Sequence, residues 1–135
     1  MVQHGKGKQL WPDGTVYDGE WHNGLQSGDG EQTKSNSTLK YTGSWLNGYK
    51  HGTGKQIFED GATYEGDWIE DTIEGEGTYI WDDGREYTGS WTKNKLHGHG
   101  VFKWGDGRMY TGNFVLDTKE GNGKYEWPDG KVYDG

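Results

Sequence analysis

The sequence predicts an all-β protein: an elongated, single-layer antiparallel sheet of stacked β-hairpin repeats. Three observations predict it. The chain repeats at a fixed period, with units starting at Tyr17, Tyr41, Tyr64, Tyr87, Tyr110 and Tyr133, in steps of 24, 23, 23, 23 and 23 residues. Such self-similarity marks an array whose unit cannot bury its apolar face alone. Short runs rich in Tyr, Trp, Phe, Thr and Val flank Asp-Gly pairs, which is the signal of a hairpin. The composition is Gly/aromatic: 8 Trp, 9 Tyr, 3 Phe and 26 Gly in 135 residues, with only 28% of apolar type. Such a chain lacks the aliphatic residues of a compact globule, and its apolar burial must come from the rings.

Numbering each unit from its Tyr places Tyr at 1, Gly at 3, Trp at 5, Gly at 12 and 14, an aromatic at 18, and Asp-Gly at 20 and 21. Residues 1–16 are the tail of a unit, with Gly5 and Gly7 at 12 and 14, Trp11 at 18 and Asp13-Gly14 at 20 and 21. Five units follow at 17–40, 41–63, 64–86, 87–109 and 110–132, and residues 133–135 open another. Both ends fall inside a repeat, so the expectation is one array over 1–135, cut from a longer one. The unit at Tyr17 lacks Asp-Gly and carries Lys34-Ser35-Asn36-Ser37-Thr38-Leu39 instead. Its hairpin is expected to have a longer, more mobile loop. Asn36-Ser37-Thr38 is formally a glycosylation sequon, read here as chance.

The turn type sets which side chains share a face. A two-residue Asp-Gly loop would pair the next Tyr with position 17; a three-residue loop, a type I turn followed by an αL glycine, would pair it with position 16. Two features favour the latter. Pro12 and Pro128 stand at the second residue of the turn, where type I wants Pro. The three-residue loop also brings every aromatic except Tyr49 to one face, whereas the shorter loop splits them, because a one-residue slip flips every side chain. On that face Gly at 3 opposes Gly at 14, and Trp at 5 opposes Gly at 12. The glycines then leave room for an indole to lie flat over the strand. The opposite face is polar, with Asp18, Thr42, Glu65, Thr88 and Thr111 at position 2.

The net charge of −8 argues against a nucleic-acid footprint. There is no Cys, hence no disulfide framework. No apolar run approaches membrane-span length, and the N-terminus has no signal-peptide core. A cytoplasmic chain fits these features. His4, His51 and His97 recur at position 11, but His51 and His97 lie four strands or roughly 19 Å apart and cannot share a metal. They are read as consensus loop residues. Asp13, Asp60, Asp83, Asp106 and Asp129 recur at the turns, where Asp serves turn geometry. No nucleophile–base pair, P-loop or metal motif is present, so no catalytic, cofactor-binding or metal-binding residue is assigned, and the chain is not expected to be an enzyme.

Tyr-x-Gly-x-Trp, His-Gly-x-Gly and Asp-Gly at a 23-residue step resemble the MORN repeat (membrane occupation and recognition nexus). The resemblance covers nearly the whole chain. Departures are Asp71, Asn94 and Asp117 in place of Gly at position 8, and Phe114 in place of Trp at position 5. Similar repeats occur in ciliary radial-spoke heads, apicomplexan cytoskeletal assemblies, junctophilins, plant phosphoinositide kinases and a histone methyltransferase. The resemblance therefore implies an organising module in a cytoskeletal, ciliary or membrane-associated setting.

The aromatic face is the main recognition surface that the sequence offers, since partly exposed rings are where interfaces concentrate their energy. Trp at 5 and the glycines are assigned to the core. A partner-binding groove is assigned to Tyr41, Phe58, Tyr64, Tyr79, Trp81, Tyr87, Phe102, Trp104, Tyr110, Tyr125 and Trp127, with a helical or extended protein segment as its occupant. Positions 6–11 read as exposed linkers of alternating charge: Glu70, Asp71 and Glu74, then Lys93, Lys95 and His97, then Asp117, Lys119 and Glu120. Either they neutralise one another or they form a striped edge. Lys93 and Lys95 are assigned as contacts for acidic phospholipid or an acidic partner, the alternative the family name suggests. Further alternatives are a regulatory arm of an enzyme domain outside this sequence, and end-to-end or dimeric self-association.

Overall fold

The computed structural model describes residues 5–135 as one 12-stranded antiparallel sheet in strict sequence order. The strands are β1 (Gly5–Leu10), β2 (Thr15–His22), β3 (Leu25–Lys34), β4 (Lys40–Leu46), β5 (Tyr49–Ile57), β6 (Thr63–Ile69), β7 (Thr72–Ile80), β8 (Glu86–Thr92), β9 (Lys95–Lys103), β10 (Met109–Val115), β11 (Thr118–Glu126) and β12 (Val132–Asp134). No helix occurs among the described residues.

The Asp-Gly turns are three-residue loops, as their sequence predicts. Phe58 N–H donates to the Ala62 carbonyl at 2.8 Å and Gly61 N–H to the Phe58 carbonyl at 3.0 Å, with Gly61 at φ +93°. Tyr64 therefore pairs with Gln56 at position 16, Gly66 with Gly54, and Trp68 with Gly52. The Asp carboxylate closes the turn: Ala62 N–H donates to Asp60 Oδ1 at 2.9 Å. The equivalent backbone bonds hold Asp13, Asp83 and Asp106 below the ordinary carboxylate range. The 35–39 loop, which replaces the Asp-Gly turn of its unit, is tied on both sides. Ser35 N–H donates to the Gly14 carbonyl at 3.0 Å, and Thr38 Oγ1–H reaches the Phe58 and Glu59 carbonyls at 3.3 and 3.2 Å.

Positions 6–11 are not exposed linkers. They are strand ends closed by a two-residue turn at positions 7 and 8, so each unit contains a second hairpin. Both turn residues have positive φ: Asn23 and Gly24 at 51° and 81°, Glu70 and Asp71 at 45° and 68°, Leu116 and Asp117 at 44° and 71°. This is the type I′ geometry that matches strand twist, and it explains Gly, Asn or Asp at position 8. The turns are stacked by hydrogen bonds rather than by ion pairs. Asp71 N–H donates to the Lys50 carbonyl at 2.9 Å, and Lys50 N–H returns to Asp71 Oδ1 at 2.7 Å. Asn94 does the same with Ile73, and Asp117 with Leu96. None of the six ion pairs among the described residues joins neighbouring turns of this edge.

The second hairpin also puts position 10 on the aromatic face, opposite Trp. Trp68 pairs with Ile73, and Trp91 with Leu96. Both aliphatic side chains are buried. Two more residues separate positions 10 and 14 than separate positions 3 and 5, and the surplus forms a bulge at position 12. Gly28, Gly52, Gly75 and Gly98 sit there at φ +91°, +96°, +85° and +99°. Their glycine is a matter of backbone conformation, not of room for an indole.

Tyr, not Trp, lies over the Gly-Gly pair of positions 3 and 14. A Cβ at Gly54 would run into the Tyr41 ring, and one at Gly77 into Tyr64. The indoles stand edge-on between the phenols. Tyr41 meets Trp45 at 5.1 Å and 85° and Trp68 of the next unit at 5.4 Å and 90°. The zigzag runs from Tyr17 to Phe114 and ends on Tyr110. From Tyr17 to Trp91 each phenol and each indole of the ladder donates to a backbone carbonyl. Tyr41 Oη–H donates to Ser44 at 2.8 Å, and Trp45 Nε1–H donates to Gly30 of the preceding unit at 3.2 Å. Edge-to-face pairs are each worth about 0.5–1.5 kcal/mol beyond area burial, and those of Tyr17 with Trp45, Tyr41 with Trp68, Tyr64 with Trp91 and Tyr87 with Phe114 cross a unit boundary.

Candidate functional site

Beside this ladder runs a second row of rings, from positions 16 and 18. Phe58, Tyr79, Trp81, Phe102, Trp104 and Tyr125 are only partly buried against the core, and Trp127 is 38% exposed. They are in continuous contact from Phe58 to Trp104, with centroids 5.5, 4.7, 5.4 and 4.8 Å apart and planes tilted by 33–53°. Tyr125 then meets Trp127 at 6.1 Å.

The row is pre-organised by its turns. The Arg85 guanidinium lies 5.3 Å from the Trp81 centroid and Arg108 lies 5.1 Å from Trp104. Each arginine is fixed by its turn aspartate, with Arg85 Nε to Asp83 Oδ2 and Arg108 Nε to Asp106 Oδ2 both at 2.8 Å. These cations cover one side of each indole. Two adjoining hollows open on the same face and share Leu96, Phe102 and Asp117. One, of about 380 Å³, is bordered by Tyr79, Trp81 and Trp91; the other, of about 490 Å³, by Trp104, Phe114 and Lys119.

The face changes character along the array. In the units at Tyr17 and Tyr41, positions 10 and 16 carry Gln26, Gln32, Lys50 and Gln56. Lys50 Nζ donates to Gln56 Oε1 at 2.7 Å and lies 5.3 Å from the Tyr41 and Trp68 centroids. Burial pulls the Lys50 pKa down, partly offset by Asp71. From Ile73 onward the same positions turn apolar or aromatic, apart from Lys119. The apolar stretch therefore spans the last three full units.

The eleven assigned groove residues divide in two. Phe58, Tyr79, Trp81, Phe102, Trp104, Tyr125 and Trp127 form the accessible row. Tyr41, Tyr64, Tyr87 and Tyr110 do not line a groove: they are 1%, 0%, 0% and 2% exposed. Each of the first three is flanked by the rings at position 5 of its own unit and the next, and Tyr110 is closed off by Phe114 and Tyr125. Missed from the sequence were Ile73, Leu96 and Lys119, which reach the face through the second hairpin. The signal was the Asn-Gly pair at 23–24 and again at 47–48, a hairpin turn that the other units disguise. Lys93 and Lys95 are exposed, and neither has an ion-pair partner among the described residues.

The position-11 histidines serve the turns. His51 Nδ1 accepts from Glu70 N–H at 3.4 Å and His97 Nδ1 from Leu116 N–H at 3.3 Å; His4 lies outside the described residues. Among the described residues no group of three or more His, Cys, Asp or Glu side chains is placed to hold a metal ion.

Comparison with known proteins agrees with this architecture. The family model of the MORN repeat matches residues 2–16, 17–38, 41–63, 64–84, 87–107 and 110–132. Alsin from Rattus norvegicus is 45% identical over 49 residues, and alsin from Homo sapiens is 41% identical over the same length. Each match covers 33% of this chain and 3% of alsin. Among solved structures, the SAS-4 (dCPAP) TCP domain of Drosophila melanogaster, determined with a proline-rich motif of Ana2 (dSTIL), superposes with a TM-score of 0.62 at 10% identity. The superposition covers 97% of this chain and 71% of that one, and at this identity it speaks to the fold. With six matched repeats across almost all of its length, the chain belongs to the MORN repeat family.

Proposed function

We propose that this chain is a non-catalytic scaffold that binds an extended protein segment along the row from Phe58 to Trp127. One observation carries the reading: a line of partly exposed, tilted rings on one antiparallel sheet, in unbroken contact from Phe58 to Trp104 and resumed at Tyr125 and Trp127, with two arginines fixing the indoles of Trp81 and Trp104. Rings held in place bind without paying for their own ordering. The row crosses three units, or six strands, which is about 29 Å. A polyproline-type segment of about nine residues covers that distance. The likeness to a domain solved with a proline-rich motif favours this conformation over a helix. Aromatic-lined grooves are how such segments are commonly read. By family resemblance we assign the scaffold to the cytoplasm, within a cytoskeletal, ciliary or membrane-associated assembly.

The test is fluorescence anisotropy with labelled proline-rich peptides of about ten residues, against alanine-based peptides of the same apolar content that form helices. The expected result is saturable binding of the extended peptides, lost in the Trp81→Ala/Trp104→Ala double variant while the fold persists by circular dichroism. Binding that survives the double variant would place the interaction on another surface.

A further inference from the structure

The unit at Tyr110 departs from the repeat at position 5, where Phe114 replaces the Trp of the four preceding units. The indole is missing there, and so is its hydrogen bond to the preceding unit, the counterpart of Trp91 Nε1–H to Gly77 at 3.1 Å. The larger of the two hollows, about 490 Å³, borders Phe114. Its walls are Leu96, Phe102, Trp104 and Phe114, and its rim carries Lys119 and Asp117. That volume lies within the range of pockets that accept ligands, about 300–1,000 Å³.

The rim is charged in a particular way. The Lys119 ammonium stands 5.0 Å from the Trp104 centroid and 5.1 Å from those of Tyr110 and Tyr125. It has no ion-pair partner among the described residues, in a chain of net charge −8. The rings hold the cation on the apolar face but supply no hydrogen-bond acceptor. Asp117 shares the rim, and its Oδ1 is already taken by Leu96 N–H at 2.8 Å. An ammonium beside an apolar hollow, without a carboxylate of its own, suits a carboxylate arriving from outside.

We infer that the Phe114 hollow is the anchor pocket of the docked segment: it takes one bulky apolar side chain, and Lys119 receives a carboxylate adjacent to that side chain in the partner. This rests on the docking role of the aromatic row and deepens it by naming two residue types in the partner.

The probes are 3-phenylpropionate, 3-phenylpropanamide and 3-phenylpropylamine, titrated into the ¹⁵N-labelled chain. Saturable shifts are expected at the Trp104 indole N–H and the Leu96, Phe102 and Thr118 amides. The acid is expected to bind tighter than the amide by about two- to fivefold, the scale of an exposed ion pair. Lys119→Met removes that preference and keeps the amide bound. Asp117→Asn keeps the turn acceptor, as Asn94 does one unit earlier, and strengthens the acid. Phe114→Trp restores the residue of the other units and abolishes binding of all three probes. Equal affinity for acid and amide, tighter binding of the amine, or undiminished binding to Phe114→Trp would each overturn the assignment. Proline-rich peptides that bind Phe114→Trp unchanged would overturn the anchor pocket and leave the docking row standing. If 3-phenylpropionate binds as expected while no peptide binds the wild-type chain, the docking reading fails and the pocket stands alone.

Discussion

Gly77 lies directly beneath the phenol of Tyr64, so close that a single methyl group would collide with the ring. The phenol has nowhere to go. Trp68 and Trp91 hold it edge-on at 5.3 and 5.6 Å, and its hydroxyl donates to the Asp67 carbonyl at 3.1 Å.

Gly77→Ala is therefore expected to destabilise the array by about 3 kcal/mol, at the upper end of overpacking costs. Gly61→Ala tests a different cause, since a Cβ there meets nothing within 4 Å but the residue sits at φ +93°. It is expected to cost about 1 kcal/mol. Urea denaturation of both variants separates the two. Similar losses would mean that ring contact is not what demands glycine at position 14.

Much of this was legible in the sequence. Period, Pro12, Pro128 and the gathering of the rings on one face fix the three-residue turn, and Tyr64 does pair with Gln56. What stayed hidden follows from turn chemistry in disguise. Glu70-Asp71, Lys93-Asn94 and Leu116-Asp117 do not look like Asn23-Gly24, yet all adopt the same positive-φ pair. Without that second hairpin, Ile73 and Leu96 read as linker residues and the core lost its aliphatic members. The exchange of Tyr and Trp over the glycines depends on ring orientation, which residue type and spacing do not encode. The same orientation buries Tyr41, Tyr64, Tyr87 and Tyr110 and removes them from the groove.

Leu116 occupies the first position of its turn at φ 44°, where two other units use Asn. A bulky side chain in the left-handed region is costly, and Asn visits that region readily. The side chain is exposed and contributes no core contact. Leu116→Asn is expected to stabilise the chain by about 1 kcal/mol, raising the urea midpoint without changing the slope. A lower midpoint would show that Leu116 packs against something that the turn geometry does not account for.

The buried phenols make stability sensitive to alkali. Burial, reinforced by Glu20, pushes the Tyr17 pKa up to about 12, and burial with Glu76 does the same for Tyr87. Tyr41 and Tyr64 are raised further in the same direction, chiefly by burial. In the unfolded chain each titrates near the ordinary value of 10. Between pH 10 and 12 the unfolded chain therefore binds fewer protons than the folded one, and stability falls as pH rises. The contribution is complete below pH 10 and is lost through the folded pKa values. Alkaline titration followed by phenolate absorbance and circular dichroism is expected to show these tyrosines ionising together with loss of the sheet. Early ionisation of all tyrosines with the sheet intact would contradict the buried ladder.

Lys93 and Lys95 remain the test of the acidic-phospholipid alternative. Both are exposed at the type I′ edge, which is held by backbone and Asx hydrogen bonds rather than by their charges. Reversing both to Glu is expected to change stability by less than about 0.5 kcal/mol. Two lysines near an anionic surface are worth about 1 kcal/mol each and are screened within a Debye length. Against them stand Glu70, Asp71, Asp117 and Glu120 on the flanking turns and strands. Co-sedimentation with phosphoinositide-containing liposomes is therefore expected to be weak at low salt and absent at physiological salt, and the double reversal to leave peptide binding on the opposite rings unchanged. Strong, salt-sensitive sedimentation abolished by the reversal would make the lysine edge, and not the aromatic row, the principal binding surface.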